Sequence, residues 1–186
     1  MADLTNNGRD VTKRIKINID EIQGSSCFTS FHSYQLNKEK ISAMIKKRQS
    51  LIEVYADVKT KDGSLFRIFV VAVTTRRPGQ LKLNSYAKSS RIKLLRKKLI
   101  EFLNNRILSE NSKDLIYNIT STDILTGELK KLANRVIPGI ELQISKLKLL
   151  KKNQADIGKA SEQIQGVIDK NSINENPEAR NLLSAS

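Results

Sequence analysis

The chain has 186 residues, 39% of them apolar, which allows one domain of ordinary size plus a tail. Its 33 Lys and Arg against 19 Asp and Glu give a formal net charge of +14, and self-repulsion on that scale calls for a polyanionic partner, with nucleic acid the default. A single cysteine excludes an internal disulfide framework, and no signal-peptide pattern or run of about 18 apolar residues is present, so a soluble intracellular protein without a membrane role is expected.

In chain order, residues 1–12 read as an N-terminal segment, 13–152 as an α+β core, and 153–186 as a C-terminal helix with a partly disordered tail. "TKRIKINIDEIQG" alternates Ile15, Ile17 and Ile19 with Lys16 and Asn18, a half-buried strand. The next stretch, Ser26 to Tyr34, is rich in aromatic and hydroxyl residues and also reads as a strand; it carries Cys27 and His32, the only cysteine and histidine. Side chains five residues apart on a regular strand face opposite ways, and structural zinc needs about four thiolate or imidazole ligands, so a buried thiol and a packed or hydrogen-bonded ring are expected, not a reactive pair.

"LNKEKISAMIKKRQS" predicts a short helix with Asn37 as N-cap and Ile41, Met44 and Ile45 on one side. Lys46, Lys47 and Arg48 follow at its end, where they would suit the helix dipole or contact RNA. "SLIEVYADVKTKDGSLFRIFVVAVTT" predicts a hairpin. Ile52, Val54, Ala56 and Val58 alternate with polar residues, Asp62-Gly63 suits a type I′ turn, and Leu65 to Val73 is apolar enough for a central strand covered on both faces. Glu53 and Asp57 share one face, so an acid/base pair, or a nuclease metal site, is conceivable there.

From Arg76 to Arg106 stand ten basic residues and one acid, Glu101. Pro78-Gly79 marks a loop with Arg76, Arg77, Lys82 and Lys88, where Ser85, Tyr86, Ser89 and Ser90 would donate hydrogen bonds to phosphate or 2′-hydroxyl oxygens. A helix follows, with Ile92, Leu95, Leu99, Phe102 and Leu103 on one arc; Arg91, Lys93, Arg96, Lys97 and Lys98 are expected to meet RNA. "SKDLIYNI" and "STDILTGELKKLANRVIPG" predict two more helices, the second closed by Pro138-Gly139. "IELQISKLKLL" is ambiguous, because Ile140, Leu142 and Ile144 alternate as in a strand whereas Leu147 and Leu149 change phase. A further helix is expected over 155–168. Walker, dinucleotide-binding, GxSxG, HExxH and modular RNA-binding motifs are all missing, so the residues alone give a basic α+β protein that binds RNA, and no cofactor is expected.

Taken in order, "IQGSSCFTSFHSYQLNKEKISAMIKKRQSLIEVYADVKTKDGSLFRIFVVAVTTRR", "SYAKSSRIKLLRKKL" and "SKLKLLKK" resemble the small-subunit ribosomal protein family called S-three-A, or eukaryotic S-one, over about residues 10 to 160. The resemblance implies a mostly antiparallel, barrel-like sheet of about five strands with helices packed around it. In it, Ile140 to Leu149 is a returning strand, with Lys151 and Lys152 among the RNA-contacting residues at its end. It further implies a structural, non-enzymatic constituent of the platform near the mRNA exit region. Its partners would be small-subunit rRNA, neighbouring ribosomal proteins, mRNA and the multi-subunit third initiation factor, in the cytoplasm, with nuclear or nucleolar assembly in a eukaryote. Two departures stand out: Met1 falls at what is normally an internal position of the family, whose basic N-terminal tail and first strands lie outside this sequence, and Arg48 stands where the family usually has tryptophan. A non-ribosomal translation factor or RNA chaperone would share the same charge pattern.

Overall fold

The computed structural model describes residues 10–24 and 26–152. The chain's first compact unit runs to Lys151, and the helix expected over 155–168 and the tail lie outside the described residues. The elements are β1 (Lys13–Gln23), β2 (Ser26–Leu36), α1 (Lys38–Met44), β3 (Leu51–Lys59), β4 (Leu65–Thr74), α2 (Ser89–Leu108), α3 (Ser112–Thr120), α4 (Ile124–Val136) and β5 (Ile140–Lys151). The α+β class is as expected, and the five strands pair antiparallel in the order β1-β2-β5-β4-β3. Closure into a barrel is not found: among the described residues β1 pairs only with β2 and β3 only with β4, so the sheet is open with two free edges. The central strand is β5 and not β4.

Strand β3 shows the alternation its sequence dictates, with Ile52, Val54, Ala56 and Val58 buried and the intervening residues exposed. On β4 only the stretch from Val70 to Thr74 is buried on both faces; Leu65, Arg67 and Phe69 are half-exposed. The β3–β4 turn also departs from the expected type I′ form, which would need positive φ at both central residues. Gly63 alone takes it, at 86°, while its N–H donates to the Thr60 carbonyl (2.9 Å) and the Thr60 N–H to that of Ser64 (3.0 Å).

Asp62 is thereby released for another task. Its carboxylate accepts hydrogen bonds from the Ser112 backbone N–H (2.6 Å) and hydroxyl (2.9 Å), capping the start of α3 from the far end of a hairpin. These bonds, the backbone one foremost, hold the carboxyl below its ordinary value of 3.8 against the opposing effect of burial, with Lys61 and Lys113 assisting. A depressed folded-state pKa stabilises the fold above the unfolded value, and the contribution is lost as pH falls through the folded one. Urea melts of wild type and Asp62→Asn should therefore differ most at neutral pH, wild type being the more stable. The two should converge as the pH drops below the usual carboxylate range.

On β5 the phase change that made the sequence ambiguous is a β-bulge. Lys146 pairs with Phe69 and Ile144 with Val70, leaving Ser145 as the extra residue, so Ile140, Leu142, Ile144 and Leu147 all reach the same buried face. Helix α2 packs on β3 and α4 on β5, joining Leu95, Leu99, Leu103 and Ile107 to Leu125, Leu129 and Ala133 in one core over the sheet. Lys13, only 5% exposed, ties β1 to the α3–α4 connection by donating to the Thr120 carbonyl (2.6 Å) and to Asp123 (3.1 Å).

The β1–β2 hairpin departs most from expectation. β2 pairs with β5 only at Ser33, Tyr34 and Gln35, so beyond that point the hairpin is a two-stranded ribbon. Bulges between Lys16 and Ile17 and between Ile19 and Glu21 keep the pairs Ile17–Phe31, Ile19–Thr29 and Ile22–Cys27 on one face. Ile17, Ile19 and Ile22 are exposed, and so is Cys27, because among the described residues no third strand or helix covers the ribbon at this point. The expected burial of the thiol is thus overturned. His32, by contrast, lies 3.4 Å from the Asn18 amide on the opposite face, as the spacing requires.

Candidate nucleic-acid interface

Between β4 and α2 the chain makes a tightly self-bonded loop. Pro78-Gly79 forms its turn, with Gly79 at φ 78° and the Gln80 N–H donating to the Arg77 carbonyl (3.2 Å). Gln80 is the organising residue, which charge counting does not single out. Its side-chain amide donates to the carbonyls of Lys82 and Asn84, both at 2.8 Å, and its backbone carbonyl accepts from the Arg76 guanidinium at 2.6 and 3.0 Å. Gly139 anchors the base: its carbonyl accepts from the Thr75 N–H (2.6 Å) and hydroxyl (2.9 Å), and a Cβ there would lie 3.1 Å from the Thr75 carbonyl oxygen. With φ at 82°, that position favours glycine.

Helix α2 leaves this loop from Lys88, which occupies the N-cap position without a side-chain cap, and no acidic residue stands in the first turn. Placing Lys88 and Arg91 at the positive end of a 20-residue helix is electrostatically unfavourable unless an anion joins them. Both residues, with Arg77, Asn84 and Tyr86, line an open cleft of about 400 Å³ between the loop and the helix. Lys98, two turns on, falls within about 20° of Arg91 around the axis, whereas Lys93, Arg96 and Lys97 lie more than about 100° away. The basic helix therefore presents two flanks, and Lys97 on the second also lies 3.9 Å from Glu101.

The cluster distant in sequence is brought to the same place. Arg48 adopts a left-handed backbone at φ 66°, and its carbonyl accepts from the Ser85 N–H at 2.9 Å, with the Ser85 hydroxyl 3.1 Å away. Alongside it, the Ser50 hydroxyl accepts from the Ala87 N–H (3.1 Å). Lys46, Lys47 and Arg48 follow the last turn of α1 and are exposed, and the Arg48 carbonyl ties their far end to the loop. Ser85, expected to face phosphate, is engaged within the protein, its hydroxyl also 3.2 Å from the Thr74 carbonyl. Tyr86 beside it stays exposed.

Lys151 does not join this group. It pairs with Leu65, whereas the loop begins past Thr74, which pairs with Ile140, so the two lie at opposite ends of the sheet, about 30 Å apart. Lys152 is the next residue after β5 and is exposed. Asp57 is held by Arg67 through two bonds of 2.5 and 2.6 Å, and among the described residues no three His, Cys, Asp or Glu gather as metal ligands.

Removing the loop's organiser while keeping every charge tests its importance. Gln80→Ala should speed amide exchange across residues 82–84 and weaken RNA binding about tenfold, the worth of roughly one net hydrogen bond, with little change in thermal midpoint.

Comparison with known proteins decides the family. A model described as the Ribosomal S3Ae family matches residues 1–153. The chain belongs to this family. It is similar to proteins named small ribosomal subunit protein eS1: one from Theileria parva is 33% identical over 189 residues, spanning all of this chain and 72% of that protein. Another from Babesia bovis is 34% identical over 188 residues, with 99% and 71% covered, and one from Theileria annulata 35% over 162 residues, with 87% and 62% covered. An S3Ae protein is a structural ribosomal protein of the small subunit and not an enzyme, and it associates with rRNA and other ribosomal proteins in the cytoplasmic ribosome.

Proposed function

We propose that this S3Ae chain holds small-subunit rRNA through the β4–α2 loop and the start of α2, with Arg77, Lys88 and Arg91 at the cleft and Lys46, Lys47 and Arg48 docked beside it. Arg76, Lys82, Lys98 and Tyr86 extend the same surface, and Lys93, Arg96 and Lys97 reach RNA from the other flank. The observation that carries this reading is the convergence of two basic segments, separate in sequence, around an uncapped helix start without a carboxylate in its first turn. Family membership and resemblance support a place on the platform near the mRNA exit region, where mRNA and the multi-subunit third initiation factor are further partners. In a eukaryote, assembly would begin in the nucleus or nucleolus.

Many phosphate contacts make binding steeply salt-dependent. With roughly six to ten of them, affinity for a small-subunit rRNA fragment should fall about 10³ to 10⁵-fold between low and moderate salt. A titration that shows no salt dependence removes the mechanism.

A further inference from the structure

The sheet has a second face, turned away from α2 and α4, and its composition is unlike that of a solvated scaffold. Backbone register places Lys16, Ser33, Lys148, Arg67 and Asp57 in one row across all five strands, and Arg14, Gln35, Lys146, Phe69 and Tyr55 in the next. The rows span about 19 Å from edge to edge. Two aromatic rings sit among the cations. Tyr55 is 63% exposed, its ring centroid 6.4 Å from that of Phe69; the Arg67 guanidinium lies 5.6 Å from the Tyr55 ring and the Lys148 ammonium 5.8 Å from the Phe69 ring. Arg67 is fixed there by its paired bonds to Asp57.

The lysines are crowded without being neutralised. Among the described residues Lys16, Lys146 and Lys148 form no ion pair, and partial burial together with the charges of Lys148 and Lys16 pushes the Lys146 ammonium below its ordinary pKa of 10.5. On this face Glu53 and Asp57 belong to the edge strand β3, with Asp57 committed to Arg67, and Glu141 on β5 stands in the row of Val73, about 13 Å along the strands from the row of Lys146. Lys151, opposite Leu65, shares the face. Like charges held together lower their energy when phosphates lie between them, and the ring of exposed Tyr55, with half-exposed Phe69 beside it, accepts any base by stacking.

We propose that this sheet face is a second RNA site, which takes unpaired nucleotides: Tyr55 and Phe69 stack bases while Lys16, Lys146 and Lys148 contact the backbone. It differs in kind from the loop surface, which carries charge with one exposed ring and suits a folded phosphate backbone. The inference rests on the RNA-binding reading above.

The test is fluorescence anisotropy of the full chain with a single-stranded oligouridylate of about ten nucleotides and with an RNA duplex. Tyr55→Ala should weaken oligouridylate binding about five- to 150-fold and leave duplex binding unchanged, Tyr55→Phe should retain both, and thermal midpoints should match. Should Tyr55→Ala fail to fold, Lys146→Gln with Lys148→Gln serves instead, and the oligouridylate salt slope should fall by about 1.4. Unchanged oligouridylate binding in the folded variants, or an equal loss on duplex, overturns the sheet site while leaving the loop reading intact. Tighter binding of polyglutamate than of oligouridylate, with the same dependence on Tyr55, overturns it in favour of an acidic protein. If wild type binds neither RNA, the RNA-binding reading fails as well.

Discussion

Leu99→Ala is expected to lower the stability of the chain by about 2 to 5 kcal/mol, because the side chain is wholly buried where α2 meets the sheet and its neighbours Leu95 and Leu103 cannot close the gap. Lys98→Ala, one residue away but exposed, should stay within about 0.5 kcal/mol of wild type. Urea denaturation of the two variants separates the roles of adjacent residues. A loss of similar size in both would mean that α2 is not seated as described. The consequence reaches function, since α2 carries Lys88 and Arg91 to the cleft and is held to β3 by this apolar seam.

Replacing Arg77, Lys88 and Arg91 together by alanine should weaken binding of a small-subunit rRNA fragment about a thousandfold, taking about 1.5 kcal/mol per charge-assisted contact, and reduce the salt slope by about three. Stability should change little, because all three are exposed. The matching substitution of Lys93, Arg96 and Lys97 provides the contrast. Those residues lie on the other flank of the helix, away from the cleft, and their loss should weaken binding less. Equal losses from the two triples would show that net charge alone governs affinity and that the cleft has no special part in it.

The sequence states most plainly what a regular period controls. Alternation along β3, the apolar arc of α2 and the Pro138-Gly139 stop after α4 all reappear in the structure, since each depends on neighbours along the chain. What escapes are features set by an extra residue or a distant partner. Ser145 shifts the phase of β5, and two bulges keep the apolar side chains of the ribbon on one face, so a reader counting twos meets a contradiction in each. Cys27 reads as a core residue because free cysteines are among the residues most often buried, but burial requires a third layer, and β2 leaves β5 after three pairs.

The functional surfaces follow the same division. Runs of Lys and Arg from Arg76 onward were visible as runs, and the loop between them was marked by Pro78-Gly79. Their junction with Lys46, Lys47 and Arg48 depends on a left-handed Arg48 backbone and a Ser85 hydroxyl, which no local rule requires. The second sheet face was invisible for a related reason: Lys16, Arg67, Lys146 and Lys148 come from three strands widely separated in sequence, and only pairing register assembles them.

A structural role in the subunit has a direct measure: the number of copies of this chain per small subunit, determined by quantitative mass spectrometry on sucrose-gradient fractions after a high-salt wash. One copy per subunit, retained through the wash along with the other small-subunit proteins, is the predicted result. A chain that washes away, or that stays at a small fraction of a copy, would contradict a structural constituent and describe a factor that only visits RNA.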